Sequence, residues 1–336
     1  MSSEQPSPIR TKAALSTRWR SQLGNLLKIA ISAGLLAYLC LLIDVRQTFT
    51  AILSAHPGWL AGAFAAFLCT FLLRAWRWRA LIRDWGARVA VKELFIWYLV
   101  GSFFNSVLPT GFGGDLLRVY ELSKRAGDPV MATNSVLVDR YLGIMVLLAM
   151  GLLAVPLGAG NIDLQVAVIL GGLFMAGLLA GVLLLNQQWW QRAGQTLPIL
   201  GRWLSGRLTP LEKTASYYSR RAILESTALS LLFNLDLILF NILLGQSLEI
   251  DIPAHYYFLY VPITSVALML PSIGGLGVRE LSYAALFPRA GVSEPLAVSL
   301  SLLVYLNTLA AGLIGGVIYL AGGAGDFLRD WRRGPR

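Results

Sequence analysis

The sequence predicts an all-α polytopic membrane protein, with about six full spans and two re-entrant helical hairpins arranged as an inverted-topology repeat. Of its 336 residues, 56% are hydrophobic and 14% are charged, whereas soluble domains carry about 25% charged residues. Several apolar runs reach about 20 residues, the length at which a helix spans a bilayer. Two glycine-rich stretches interrupt this pattern, LPTGFGGDLLRVYELSKR at 108–125 and LPSIGGLGVRE at 270–280.

The basic residues give the chain a net charge of +10 and are concentrated at the ends of the apolar runs. This is the positive-inside pattern of membrane proteins. It excludes a nucleic-acid binder, which needs a continuous basic face on a folded soluble domain, and it favours anionic lipid as the electrostatic partner. Two cysteines and two scattered histidines are too few for a metal cage, so we expect no metal and no cofactor.

The first half-repeat, residues 25–162, follows a basic cytoplasmic tail at 1–24 and is predicted to hold three spans and one hairpin. The hairpin, 93–125, starts from the cytoplasm. Its apolar arm 93–108 is short for a crossing, and 115–124 returns to the same side. The second span ends in RAWRWRALIRDW, whose tryptophans and arginines we interpret as interfacial anchors. The three spans are predicted at 25–43, 58–76 and 129–155.

The second half-repeat, residues 163–325, is predicted to have the same plan in the opposite orientation. Its hairpin, 256–290, starts from the outside. An amphipathic cytoplasmic segment at 186–222 interleaves basic residues with Trp and Tyr, as interfacial helices do. A basic cytoplasmic tail at 326–336 follows. The three spans of this half are predicted at 164–185, 223–246 and 295–320.

Charge placement and short internal matches support this layout. With both termini cytoplasmic and each hairpin returning to its starting side, 23 of the 28 Lys and Arg residues lie inside and two, Arg46 and Arg289, lie outside. Inverted repeats with broken helices and a midplane site are a recurring transporter architecture. The matches, in order along the chain, pair Leu108-Pro109 with Leu270-Pro271, Arg125-Ala126-Gly127 with Arg289-Ala290-Gly291, and Pro129 with Pro295.

The hairpin glycines and the polar residues around them are predicted to bind the head group of an anionic lipid. A helix that starts within the membrane presents unpaired N–H groups and about +0.5 charge, and glycines let an anion approach the backbone closely. Two such helix starts would face each other from opposite sides. The predicted head-group residues are Asn105, Gly111, Gly113, Gly114, Asp115, Arg118, Gly274, Gly275, Arg279 and Glu280.

The same residues also permit a purely structural interpretation. Arg118 would then neutralise a neighbouring carboxylate, Arg140 would pair with Asp236, and the glycines would permit close packing. The G-x-x-x-G at Gly312 and Gly316 predicts helix packing within one subunit, with a homodimer as the alternative. Candidates for coupling to an ion or for structural ion pairs are Glu121, Asp139, Arg140 and Asp236; candidates for interhelical hydrogen bonds are Asn105, Asn234, Asp236 and Asn307.

Three segments, NSVLPTGFGGDLLRVYEL, SVLVDRYLG and LPSIGGLGVRE, resemble in order and spacing the lysylphosphatidylglycerol synthase transmembrane-domain family, also called flippase-like membrane proteins. The resemblance extends from the second span to the end of the chain. It implies an integral membrane domain which, in the aminoacyl-phosphatidylglycerol synthases, moves the modified lipid between leaflets. A soluble synthase domain follows in those enzymes. This sequence stops at Arg336, so aminoacyl transfer is not expected.

The resulting functional prediction is a lipid translocase in the cytoplasmic (inner) membrane that moves an anionic phospholipid or a polyprenyl-phosphate-linked lipid. The sequence has no G-x-x-x-x-G-K-[ST] loop for ATP, which leaves proton coupling or unassisted equilibration. It has no recognisable catalytic constellation, so we do not expect an enzyme. Two alternatives remain: a membrane enzyme acting on lipid-linked intermediates, and a non-catalytic accessory protein for a membrane glycosyltransferase in lipid-linked glycan or glycolipid synthesis.

Overall fold

A computed structural model of the protein describes residues 45–107, 113–158, 164–185, 218–270, 272 and 275–321, and within these ranges every regular element is a helix. Two short 3-10 turns, Val155–Gly158 and Phe287–Ala290, follow the fifth and ninth helices. The helices are α1 (Val45–Leu53), α2 (Pro57–Arg83), α3 (Val91–Val107), α4 (Gly113–Ala126), α5 (Pro129–Ala154), α6 (Leu164–Leu185), α7 (Arg220–Ser247), α8 (Ala254–Ala267), α9 (Val278–Leu286) and α10 (Glu294–Ala321).

Long apolar segments of the described chain match the predicted spans from the second to the last. Five segments are long and apolar enough to cross a membrane: Pro57–Arg83, Pro129–Leu157, Leu164–Val182, Arg220–Ser247 and Glu294–Ala321. Several predictions fall outside the described residues: the first span at 25–43, both basic tails, Gly111 with the rest of the first hairpin tip, Gly274, and most of the amphipathic segment at 186–222.

Two local predictions need correction. The predicted spans at 25–43 and 58–76 imply a loop between them, but residues 45–53 form α1. This helix is held against α10 because Ser299 Oγ donates a hydrogen bond to the Thr48 carbonyl at 3.1 Å. The second span was expected to end near residue 76 but continues as a helix to Arg83. A helix can continue past an arginine when that arginine is buried with a carboxylate, and Arg77 has such a partner.

The first hairpin consists of α3 and α4. Its outer ends, which are the start of α3 and the end of α4, lie next to each other. Arg125 near the end of α4 forms an ion pair with Glu93 near the start of α3, at 2.9 Å. Near the hairpin tip the two backbones are close: a Cβ atom added to Gly114 would lie 2.7 Å from the Gly101 carbonyl oxygen. The start of α3 comes directly after α2 in the chain. At that end of α2, Arg83 pairs with Glu225 at the start of α7, at 2.9 Å.

The second hairpin, α8 and α9, has its outer ends at the other end of the α2–α7 pair. That end is defined by the hydrogen bond from the His56 N–H to the Ser247 carbonyl at 2.9 Å. Just after α9, the Phe287 ring lies 5.7 Å from the ring of Tyr257 in the first turn of α8. The two hairpins therefore open toward opposite ends of the helix bundle.

Helices from the N-terminal part of the described chain pack against helices from its C-terminal part. Helix α2 packs along α7, α3 packs against α10, and α8 packs against α5. Small residues permit the α3–α10 contact: Cβ atoms added to Gly312 and Gly316 would meet Phe103 of α3. The prediction that this G-x-x-x-G packs helices within one subunit is confirmed.

Candidate functional site

Asp139 of α5 is the centre of a buried polar cluster. Its side chain is fully buried, and its Oδ1 accepts a hydrogen bond from Arg77 Nε at 2.7 Å. Its Oδ2 accepts from Arg118 Nη2 at 2.9 Å and from the Tyr98 hydroxyl at 2.9 Å. A buried carboxylate is tolerated only when it is paired and hydrogen-bonded in this way. Asp139 thereby joins α2, α3 and α4 to α5.

Arg118 is held by aromatic rings as well as by carboxylates. Its guanidinium carbon lies 4.1 Å from the ring centroid of Trp78 and 4.2 Å from that of Tyr98. Trp78 is itself fixed, because its Nε1 donates to Ser135 Oγ at 3.0 Å. A planar guanidinium stacks well on aromatic faces and keeps its charge there. Arg118 is therefore a rigidly placed positive charge.

Asp115, in the first turn of α4, provides the second carboxylate of the cluster. Its Oδ1 lies 3.4 Å from Arg118 Nη1, and its Oδ2 contacts Arg140 Nε. Arg140 thus pairs with Asp115, and the expected pair with Asp236 is wrong. The reason is geometric: α5 presents Arg140 to Asp115 of α4, whereas Asp236 lies on α7.

A cavity of about 210 Å³ lies beside this cluster. Liquid water occupies about 30 Å³ per molecule, so the cavity has room for a small polar group. We call it the Arg74 cavity. Phe67 and Phe71 form part of its apolar wall, and its polar lining includes Arg74, Tyr98, Asn105, Asp115, Arg118 and Arg140.

Arg74 differs from the other arginines of the cluster. Its guanidinium carbon lies 4.8 Å from the Tyr98 ring centroid and 5.5 Å from that of Phe233. Within the described part of the chain it has no carboxylate at ion-pair distance, and its buried Nε has no hydrogen-bond partner. Leaving a buried charged donor unsatisfied is costly, so Arg74 is the group in the cavity most in need of an anion.

Counted over the described residues, the cluster has two more positive than negative charges. Sequence reasoning missed this excess because it assigned Arg74 and Arg77 to the membrane interface. The three-residue spacing was the available signal, since residues three apart share a helix face. The cluster holds the arginines Arg74, Arg77, Arg118 and Arg140 and the aspartates Asp115 and Asp139.

Asn105 and Gly114, two of the predicted head-group residues, line the cavity, but they also bond to each other. The Gly114 N–H donates to Asn105 Oδ1 at 2.7 Å, so one N–H at the start of α4 is already satisfied by the protein. Gly113 and Gly114 are both buried, and the absence of a side chain at Gly114 allows the close contact with Gly101. Of the predicted site residues in this hairpin, Arg118 is therefore best placed to meet an anion.

Arg279 and Glu280 belong to a separate group of residues between α9 and α10. Glu280 caps its own helix: its Oε2 accepts from the Gly277 N–H at 2.6 Å, and its Oε1 accepts from Ser301 Oγ at 3.3 Å. The Arg279 guanidinium carbon lies 5.6 Å from the Tyr305 ring centroid. Gly275, with φ of +82°, has a backbone conformation that favours glycine. These residues do not line the Arg74 cavity.

The remaining candidates have structural contacts. Asn234 Nδ2 donates to the Gly143 carbonyl at 3.0 Å, an interhelical bond as predicted, whereas Asn307 Nδ2 donates within α10, to the Leu303 carbonyl at 2.8 Å. Glu121 is half-buried on α4. In the described ranges no group of three or more His, Cys, Asp or Glu side chains could hold a metal ion.

The comparisons with known proteins place this geometry in a family. A family model described as Lysylphosphatidylglycerol synthase TM region matches residues 25–316. The chain belongs to this family. Membership in the lysylphosphatidylglycerol synthase TM family, together with the long apolar helices, makes the protein a multi-pass integral membrane protein. The Arg74 cavity lies entirely within the matched region.

A curated relative and the solved structures add little to this assignment. The UPF0104 membrane protein MJ1595 of Methanocaldococcus jannaschii is 27% identical over 108 residues, which is 32% of each chain. The match thus spans about a third of the relative's length. No solved structure matches. The family assignment of this lysylphosphatidylglycerol synthase TM protein therefore rests on the family model.

Proposed function

We propose that this protein is a lipid translocase that moves an anionic lipid between leaflets and binds its phosphate in the Arg74 cavity. The observation that carries the proposal is the surplus of arginine over aspartate in a buried cluster that lines a cavity. Guanidinium groups bind phosphate through paired, charge-assisted hydrogen bonds. A phosphate would neutralise charge that is otherwise expensive within a membrane.

The depth of the cluster supports movement of the lipid across the membrane over binding at its surface. Asp139 lies ten residues after Pro129, the start of α5. At 1.5 Å per residue this is about 15 Å along the helix. The hydrocarbon core is about 30 Å thick, so a head group beside Asp139 would lie inside the membrane, below the head-group region.

The opposed hairpins and the pairing of α3 with α10 and α8 with α5 support an inverted-topology repeat, in which each hairpin re-enters the side from which it starts. The proposed orientation follows from charge. Arg79, Arg83 and Arg88 lie at the end of α2 and just beyond it, and the positive-inside rule assigns that end to the cytoplasm. The host membrane would be the cytoplasmic membrane.

The transported lipid would be either an anionic phospholipid or a polyprenyl-phosphate-linked lipid, because both present a phosphate to the arginines. No catalytic role is proposed. The two carboxylates of the cluster are bound by arginines, and a general base needs a carboxylate that can accept a proton from its substrate. Proteins that act on the same lipid, such as a membrane glycosyltransferase, remain candidate partners.

Reconstitution in liposomes with head-group-labelled lipids tests the proposal. Fluorescent phosphatidylglycerol should cross between leaflets faster with the protein than in protein-free vesicles. The protein should accelerate fluorescent phosphatidylcholine less than it accelerates phosphatidylglycerol. Arg74→Gln should lower the rate at which the anionic lipid crosses between leaflets by roughly tenfold or more, which is the effect of losing one hydrogen-bonded charge. Arg46→Gln, at an exposed arginine of α1, is the matched control. Rates equal to protein-free vesicles for every anionic lipid, including a polyprenyl phosphate, would disprove the proposal.

A further inference from the structure

Helix α2 carries a second basic face that does not contribute to the Arg74 cavity. Arg77 and Trp78 point into the bundle and are 2% and 0% exposed. Trp76 is 49% exposed, and Arg79 is exposed as well. Residues three or four apart share a helix face. Trp76, Arg79 and Arg83 therefore lie on one face of α2, which points away from the bundle.

A groove runs along this outward face, between α2 and the first half of α7, with a volume of about 450 Å³. Its floor is made of small and apolar residues: Ala80 from α2, and Ala228, Leu229 and Leu232 from α7. Leu232 and Trp76 are both exposed to the outside of the bundle. An apolar slot of this kind, open to the lipid, suits a hydrocarbon chain.

The end of the groove near the helix termini is basic. Arg83 is neutralised there by Glu225 at 2.9 Å. Arg79 lines the groove without a carboxylate partner among the described residues. A neighbouring cleft of about 400 Å³ shares Arg79 and Arg83 and adds Arg88. Among the described residues that line these two clefts, Glu225 balances Arg83, which leaves the charges of Arg79 and Arg88 in surplus.

We infer that this groove is a binding site for an anionic phospholipid of the adjacent leaflet, with the phosphate at Arg79 and Arg88 and one acyl chain over Ala80 and Ala228. Arg79 lies one turn before the end of α2, and Trp76 lies about one turn deeper. The long arginine side chain extends its charged end outward to the head-group region, and tryptophan is typical of the boundary below that region. A soluble anion would use the arginines but leave the apolar floor unused.

This site is independent of the proposed translocation. The groove and the Arg74 cavity share no lining residue, because they lie on different faces of α2. A lipid in the groove would bridge α2 and α7 from outside and would stay in its own leaflet. The groove site can therefore exist even if the protein moves no lipid.

Photo-crosslinking in nanodiscs tests the site directly. The nanodisc lipid would be phosphatidylcholine, with a small fraction of phosphatidylglycerol that carries a photoactivatable group on an acyl chain. Mass spectrometry of the digested protein would locate the crosslinks. We expect them in peptides covering 76–83 and 225–232, and we expect photoactivatable phosphatidylcholine to label these peptides much less.

Two variants distinguish the contribution of the arginine charges to lipid binding from the contribution of the groove's shape. The double variant Arg79→Gln, Arg88→Gln should lower crosslinking by roughly thirtyfold, since each interfacial arginine contributes about a fivefold preference for anionic lipid. Ala228→Trp keeps both charges but fills the groove, and it should also remove the crosslinks. Arg46→Gln should leave them unchanged. Equal labelling by the two photoactivatable lipids, or crosslinks that survive both variants, would overturn the inference.

Discussion

Arg77 Nε lies 2.7 Å from Asp139 Oδ1, and both side chains are almost completely enclosed by the helix bundle. This ion pair ties α2 to α5 at the depth where the cavity lies. The neighbouring Arg74, on the same face of α2, has aromatic contacts in place of a carboxylate. The contrast separates a structural arginine from one that is available to a ligand, and it underlies the predictions below.

Asp139→Asn should strongly destabilise the protein. The variant leaves Arg77 and Arg118 without their shared carboxylate, and removing one partner of a buried ion pair costs about 3–5 kcal/mol. Thermal unfolding in detergent measures the effect. Glu225→Gln is the control: it breaks the exposed pair with Arg83, which should cost about 0–1 kcal/mol. If the two variants lost equal amounts of stability to thermal unfolding, Asp139 would not organise the core.

Arg77→Gln combined with Asp139→Asn should be less destabilising than the sum of the two single variants. Arg77→Gln leaves Asp139 with Arg118 as its one arginine partner, and Asp139→Asn leaves Arg77 without its carboxylate, whereas the double change removes both members of the 2.7 Å pair. Coupling energies for residues in one buried network are about 0.5–3 kcal/mol. A double-mutant cycle on unfolding free energies measures this. Strict additivity would count against a direct pair.

Arg74→Gln should weaken binding of anionic lipid without loss of stability, whereas Arg77→Gln should lower stability. Arg74 is half-buried and lacks a carboxylate partner in the described chain, so its removal relieves positive charge in the cluster. The two variants change the same residue type on the same face of one helix. Unfolding temperature and phosphatidylglycerol binding should be measured on both. If Arg74→Gln proved the less stable of the two, the assignment of roles would be wrong.

Gly114→Ala should destabilise the first hairpin by about 1–3 kcal/mol, the usual effect of overpacking. The added methyl would lie 2.7 Å from the Gly101 carbonyl oxygen, so α3 and α4 would have to separate. Gly172→Ala on α6 is a matched control because nothing lies within 4 Å of its added methyl. That change should stabilise by about 0.4–1 kcal/mol. The two unfolding temperatures should move in opposite directions.

Single cysteines at Lys124 and Arg289 should react with a membrane-impermeant maleimide from opposite sides of the membrane. Both positions are exposed and lie at the outer ends of the two hairpins. Cys40 and Cys69 would first be replaced by serine to remove background labelling. Labelling of both positions from one side in intact cells would exclude the inverted arrangement of the hairpins.

Much of the helix layout could be predicted from composition, because long apolar runs and glycine-rich breaks mark the ends of membrane helices directly. The predicted span at 164–185 coincides with α6. The partners of the charged residues could not be predicted in this way. Arg140 faces Asp115 and Arg77 faces Asp139 because of how each helix is rotated, and helices that are apolar on all sides carry little information about rotation.

The Arg74 cavity also has an electrical consequence. Empty, its cluster carries a surplus of two positive charges among the described residues; with a monoanionic head group bound, the surplus is halved, and with a dianionic one it disappears. One elementary charge moved across 100 mV changes the energy by about 2.3 kcal/mol. A rearrangement that shifts the cluster through the membrane field is therefore sensitive to voltage when the cavity is empty. Each negative charge on the bound lipid lowers the net charge that moves, and so reduces the effect of the membrane potential on this rearrangement.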